Sequence, residues 1–231
     1  VFFRPNKLIT YSVAAGMEQA AEYLENLDFD EGDISYLRSL GIFTEDYLAC
    51  LRTLRFTGDV TAVREGEIVF PYEPILTVSA PMLEAQLVET ALLTFINHQT
   101  LIASKAAKIC AAAGGGVMEF GLRRAQGPDA GIYGARAAMI GGCVGTSNVY
   151  AGKLFDVPVS GTMAHSWVMN FPSELEAFRA YARSFPDNCL LLVDTYDTLR
   201  SGVPHAIQVF KELREHGYEP KGIRLDSGDL A

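Results

Sequence analysis

Between residues 117 and 226 the chain alternates short apolar runs with helical stretches, and few folds accept that rhythm. The runs are "VMEFG" (117–121), "CVGT" (143–146), "VSGT" (159–162), "LLLVD" (190–194) and "GIRLD" (222–226). Segments of helical period, 130–140, 148–155, 173–184 and 203–216, separate them. Such alternation predicts parallel strands joined by helical crossovers. Nearly unbroken apolar strands agree, because parallel strands are covered on both faces. Polar residues gather just after each run: Arg123 and Arg124, then Thr146, Ser147 and Asn148, then His165 and Ser166, then Asp194 and Asp197, then Asp226, Ser227 and Asp229. In a parallel barrel the carboxyl ends of the strands share one face, and that face carries the site. A doubly wound sheet also binds at strand ends. Five successive polar ends favour the barrel.

The first half reads differently. Residues 12–25 carry a helical period after Ser12 as N-cap, and "GDISYLRSL" and "TEDYLACLRTL" follow as short helices with Asp33 and Thr44 near their starts. Residues 58–79 alternate and predict three short strands. From Pro81 to Ala113 the helical period returns, with a break expected near Asn97–Thr100. The opening "VFFR" reads as a strand already under way, and the end falls inside a loop or new helix. The expected organisation is therefore an α+β domain over 1–113, mainly β with a long helix leading out, and a partial α/β barrel over 114–231. The chain is expected to be part of a longer protein.

A net charge of −9 argues against a non-specific nucleic-acid or anionic-membrane binder. No apolar run reaches the length of a membrane span, and Arg4, Pro5 and Lys7 interrupt the start where a leader would lie. The four cysteines are widely spaced, with no zinc signature. They read as buried thiols in a reducing, cytoplasmic protein.

Several stretches carry chemistry. Arg123 and Arg124 can clamp phosphates, and Phe120 offers a face to a flat ligand. Thr146 and Ser147 place hydroxyls at a helix start, where anions sit, although such residues also simply cap helices. Asp194 ends an apolar strand as an N-cap or as the partner of a base or metal, while Asp197 reads as dipole matching. Arg224 and Asp226 suit a phosphate and a sugar hydroxyl or a magnesium-bound ligand. Ser227 and Asp229 also read as caps. His165 follows a strand among small residues, and Asp194 on the next strand can fix its tautomer as a nucleophile requires. His98, His205 and His216 show no such setting.

Taken in order, "EFGLRRAQGPD", "GTSNV", "AHSW", "LVDTYDT" and "GIRLDSGDLA" resemble the motif series of the nicotinate phosphoribosyltransferase family, as do "RFTGDVTAVREGEIVFPYEPILTV" and "EAQLVETALLTFINHQTLIASKAAKI" upstream. The resemblance spans essentially the whole chain. It implies an irregular (β/α) barrel, incomplete in this chain, with a mainly β N-terminal domain. It implies formation of nicotinate mononucleotide and pyrophosphate from nicotinate and phosphoribosyl pyrophosphate in NAD salvage, coupled to ATP hydrolysis through a phosphohistidine, with magnesium and a homodimer of composite sites. In its terms Phe120 stacks on the pyridine, and Thr146 and Ser147 lie near the ring carboxylate. Arg123, Arg124 and Arg224 hold phosphate oxygens; Ser166, Asp226 and Ser227 complete substrate binding. His165 takes the phosphoryl group, steadied by Asp194. The family's N-terminal segment, with its ring-stacking Tyr, and its C-terminal Gly-rich phosphate seat have no counterpart in these residues, so the chain by itself is expected to turn over little.

The nearest rivals are nicotinamide and quinolinate phosphoribosyltransferases. Related nicotinamide enzymes carry Asp where Ser147 stands, and Asp repels a carboxylate. An aldolase-like barrel needs a lysine at a strand end, but Lys105, Lys108, Lys153, Lys211 and Lys221 fall on helices or loops. An inactive fragment that only binds ligand is the non-enzymatic alternative.

Overall fold

The computed structural model describes residues 1–5 and 9–228. They form two compact units, Val1–Ser160 and Gly161–Ala231. The sequence-based division after residue 113 falls at the end of the longest helix, within the first unit.

The first unit opens with β1 (Ser12–Val13), α1 (Met17–Glu25), α2 (Glu31–Ser39) and α3 (Glu45–Thr53). Three short strands follow: β2 (Asp59–Ala62), β3 (Ile68–Val69) and β4 (Leu76–Ser79). They pair antiparallel, β1 with β3 and β2 with β4. Ser12 is thus a buried strand residue, not a helix cap. The helical pattern of 12–25 misled because Gly16, at φ 103°, breaks it, and α1 starts one residue later. A Cβ on Gly16 would come within 2.7 Å of the Phe95 carbonyl oxygen, so only glycine allows this approach. Asp30 and Asp33 form a reciprocal capping box on α2, and Thr44 caps α3 as expected. The opening residues run extended beside 72–76 without becoming a regular strand: Phe3 accepts from Tyr72 N–H at 3.0 Å and Val1 from Ile75 N–H at 2.8 Å.

Helix α4 (Met82–Ala113) runs unbroken for 32 residues, about 48 Å. The break expected at Asn97–Thr100 does not occur, since no Pro or Gly interrupts that turn and Gln99 and Thr100 find partners outside the helix. Thr100 Oγ1 accepts from Ala15 N–H and donates to the Ala15 carbonyl, and Gln99 Nε2 donates to Gln19. Val88, Leu92 and Ile96, four residues apart, make one stripe into the core. Further along, Ala103 packs against Ala137 of α5 (Pro128–Ile140), small residues that let the two helices close together.

Helix α5 links β5 (Met118–Glu119) to β6 (Gly145–Thr146), which pair parallel. Helix α6 (Val149–Phe155) then leads to Val159, which bridges Thr146 in parallel. The strand expected over 159–162 is reduced to this one bridge.

The second unit contains α7 (His165–Val168), α8 (Glu174–Ser184), β7 (Leu190–Leu192), α9 (Val203–Glu215) and β8 (Gly222–Arg224). β7 and β8 pair parallel across the α9 crossover. Its core joins Val168, Phe178, Leu191, Leu192, Val193 and Val209. The short helix α7 was not foreseen, because its four residues are too few to show a period. Asp197 caps a π turn at Thr198–Gly202, accepting from the N–H groups of Leu199 and Arg200.

Strand–helix–parallel-strand units recur in both halves of the 114–231 region, and the observed class is the expected α/β one with an α+β N-terminal part. No helix among the described residues is long and apolar enough to cross a membrane. Of the thiols expected to be buried, only Cys189 is; Cys110 and Cys143 are half-buried with sulfurs 3.9 Å apart, and Cys50 is exposed. Burial pushes the Cys189 thiol up to about 11 and, with Cys110 beside it, Cys143 up to about 12.

Candidate active site

In the second unit the residues after β7 and β8 meet at the start of α7. His165 is the first residue of α7, and its Nε2 lies 3.0 Å from Asp194 Oδ1. Asp194 Oδ2 accepts from the Asp226 N–H and from Ser227 Oγ, both at 2.8 Å. The Asp194 side chain is 4 % exposed, against 36 % for His165. Burial is the largest influence on this carboxyl and would raise its pKa. The hydrogen bonds from Ser227, Asp226 and His165 together outweigh it and hold Asp194 below the ordinary 3.8. An ionised Asp194 makes Nε2 the protonated nitrogen, so Nδ1 keeps the lone pair. Arg224 donates to Thr162 Oγ1 and to Asp226 Oδ1, both at 2.6 Å. His165, Asp194, Arg224, Asp226 and Ser227 are thus one connected cluster, with Ser166 exposed beside it. The expected cap at Asp229 lies outside the described residues.

In the first unit, Glu119 ends β5 and Phe120, 39 % exposed, follows it. Arg123 and Arg124 lie on the 3₁₀ turn Leu122–Arg124. Arg124 lines a cavity of about 800 Å³ together with Gln19, His98, Glu119, Gln126 and Tyr133; Arg123 does not. Thr146 is fully buried, and its hydroxyl donates to Glu119 Oε2 at 2.5 Å. Ser147 is half-buried, and its hydroxyl has no hydrogen-bond partner among the described residues. Asn148 caps α6 through Ala151 N–H.

Two features escaped the sequence reading. Glu119 carries a charge inside an apolar strand, a signal that was present. His205 was read as lacking a carboxylate partner, but its Nδ1 lies 2.9 Å from Glu174 Oε2, a residue 4 % exposed. Ser201 donates to the same oxygen at 2.5 Å. Thirty-one residues separate Glu174 from His205, so spacing alone gave no hint.

Comparison with known proteins decides the lineage. Residues 1–97 match the nicotinate phosphoribosyltransferase (NAPRTase) N-terminal domain and residues 116–231 the nicotinate phosphoribosyltransferase (NAPRTase) family. The chain belongs to the nicotinate phosphoribosyltransferase family. It is 55 % identical to a nicotinate phosphoribosyltransferase of Bacillus subtilis, over 96 % of this chain and 45 % of that protein. One from Mycobacterium tuberculosis is 49 % identical over 100 % of this chain and 50 % of its own length. The crystal structure of human nicotinic acid phosphoribosyltransferase superposes with a TM-score of 0.91 at 34 % identity, covering 99 % of this chain and 56 % of that one. The chain thus spans about half the length of the curated relatives it matches. The fold class implied by the motif series is the one this family member adopts.

Proposed function

We propose that the protein containing this chain is a nicotinate phosphoribosyltransferase. It joins nicotinate to phosphoribosyl pyrophosphate, giving nicotinate mononucleotide and pyrophosphate in NAD salvage, with ATP hydrolysis coupled through His165. The observation that carries this reading is the buried, ionised Asp194 at 3.0 Å from His165 Nε2. A proton fixed on Nε2 leaves Nδ1 as the nucleophile toward the γ-phosphoryl group of ATP. The N–P bond forms as the bond between the γ-phosphorus and the bridging oxygen breaks, and ADP leaves. The Asp194 charge balances the imidazolium character that develops on the ring. Hydrolysis of the phosphohistidine returns phosphate and the free imidazole.

Glycosyl transfer needs the ring nitrogen held at the anomeric carbon while pyrophosphate leaves from a loosely bonded, cationic state. Phe120 stacks on the pyridine in this reading, and Ser147 offers its unused hydroxyl to the ring carboxylate. Arg123, Arg124 and Arg224 take phosphate oxygens; Ser166, Asp226 and Ser227 serve the phosphoribosyl group. Among the described residues no cluster of three or more His, Cys, Asp or Glu is placed to hold a metal. That donor set fits magnesium carried on substrate phosphates, with Asp226 a carboxylate that would assist. Magnesium would supply charge neutralisation to the leaving pyrophosphate. The protein is further proposed to work as a homodimer in the cytoplasm; Leu93, Leu101 and Ile109, exposed along α4, offer apolar surface for a second copy.

The test is turnover by the full-length protein with nicotinate, nicotinamide and quinolinate in parallel, with and without ATP. Nicotinate is expected to react fastest and ATP to stimulate it. Preference for another pyridine overturns the substrate assignment, and unchanged ATP coupling in His165→Ala overturns the role of His165.

A further inference from the structure

We propose that Glu119 is the positioning residue of the pyridine subsite: it fixes the backbone of the turn Thr146–Asn148, the turn that carries the Ser147 hydroxyl. This rests on the role given to Ser147 above. Glu119 stands opposite Thr146 in the parallel β5–β6 pair. It grips the turn twice. Its carbonyl accepts from Ser147 N–H at 3.0 Å, and its Oε2 accepts from Thr146 Oγ1 at 2.5 Å. The second carboxylate oxygen, Oε1, accepts from Gly121 N–H. Thr146 Oγ1 in turn accepts from Asn148 N–H at 2.9 Å, and Asn148 Nδ2 donates to the Gly131 carbonyl at 3.2 Å. A single hydrogen-bonded line therefore runs from the 3₁₀ turn through Glu119 and Thr146 to the first turn of α6.

Two consequences follow for the site. The Thr146 proton is committed to Glu119 and the side chain is fully buried, so Thr146 has no donor left for a ligand. The hydroxyl left to meet an anion on this turn is that of Ser147. Both Glu119 oxygens already accept hydrogen bonds, the charge-assisted kind that defines geometry most sharply. Glu119 thus acts through its neighbours and needs no contact with the substrate. A backbone already held at Ser147 lowers the ordering cost that nicotinate would otherwise meet on binding.

The experiment uses the full-length protein and four variants: Glu119→Gln, Thr146→Val, Thr146→Ser and the double Glu119→Gln/Thr146→Val. Glutamine must aim its amide at one of two donors that now face Glu119, so one bond is lost. KM for nicotinate is expected to rise about tenfold in Glu119→Gln and in Thr146→Val, the order set by losing one charge-assisted hydrogen bond. The double variant is expected to be no worse than the worse single one, because both cut the same line. Thr146→Ser, which keeps the hydroxyl, is expected to recover most of the loss. KM for phosphoribosyl pyrophosphate is expected to stay within about twofold of the parent throughout. Additive losses, or equal rises in both KM values, overturn the proposal. Amide hydrogen exchange at Ser147 and Asn148 without ligand is measured alongside. It is expected to quicken in Glu119→Gln and Thr146→Val but not in Thr146→Ser, and unchanged exchange in the first two overturns the proposal. A parent that neither binds nor turns over nicotinate sinks the functional reading alone, since the exchange pattern still decides whether Glu119 holds the turn.

Discussion

Asp194 meets His165 through one carboxylate oxygen at 3.0 Å and spends the other on the loop after β8, through the Asp226 N–H and Ser227 Oγ at 2.8 Å each. One buried side chain therefore sets both the tautomer of the imidazole and the path of the loop. Asp194→Asn separates these jobs poorly, because an amide places a donor where three donors already converge. Phosphoryl transfer from γ-labelled ATP to His165 is expected to fall by up to about 10⁴-fold, as when a histidine loses the carboxylate that fixes its tautomer. Urea unfolding followed by Trp167, the only tryptophan, is expected to show a loss of about 1–3 kcal/mol from the unsatisfied donor. Full labelling in this variant would show that the pair is structural only.

The same carboxyl predicts an acid response. Burial favours the neutral form, but the bonds from Ser227, Asp226 and His165 win, so the folded pKa lies below the usual 3.8. A folded value below the unfolded one means the ionised group stabilises the native state. That contribution is whole above pH 3.8 and disappears as pH falls through the lower folded value. Trp167 packs on Phe171 and Tyr181 within the same unit, so its fluorescence reports this unit. Its unfolding midpoint in urea is expected to fall as pH is lowered below about 4, and to fall less steeply in Asp194→Asn. Parallel slopes in the two proteins would assign the acid response to other carboxyls.

Gly202 closes the π turn directly against β7. A Cβ there would overlap the Val193 carbonyl, one residue before Asp194. Gly202→Ala is expected to destabilise the unit by about 3 kcal/mol, the scale of overpacking a site that cannot relax. Because the displaced strand end carries Asp194, His165 labelling is expected to drop with it. Thr198→Ala, on the same turn but half-exposed, is expected to change both by far less.

How much of this was legible beforehand depended on the range of the signal. The helices 130–140, 148–155, 173–184 and 203–216 stand close to their predicted positions, because amphipathic period and caps are local. The His165–Asp194 pair was readable from two strand ends in succession. The 12–25 helix went astray because Ser12 and Val13 answer to β3, more than fifty residues away. The expected break at Asn97–Thr100 failed for a related reason: Gln19 and Ala15, far away in sequence, satisfy the polar turn. His205 looked idle until folding brought Glu174 to it. Glu119 was visible as an odd charge in a strand, but its partner Thr146 was read as a ligand contact.

Glu65 does two things for the first unit. Its Oε1 accepts from the N–H groups of Gly16 and Met17, at 2.6 and 2.9 Å, at the helix start where Gly16 offers no side-chain cap. Its Oε2 pairs with Arg136 at 2.6 Å, and that arginine also meets Glu18 and Gln99. The Arg136 side chain is 12 % exposed, so removing its main partner leaves a charge that water reaches poorly. Glu65→Ala is expected to cost about 3–5 kcal/mol in urea unfolding followed by circular dichroism, as for a broken buried pair. Glu65→Gln keeps an acceptor for the two N–H groups while giving up the charge. If the ion pair carries most of the energy, Gln loses nearly as much as Ala; if the cap does, Gln recovers most of it. The position of Arg136, half-caged between α4 and α1 with Glu18 on its outer side, favours the first outcome. Hydrogen exchange at Met17 then separates the two terms, since in Glu65→Gln that amide stays protected while the global stability falls.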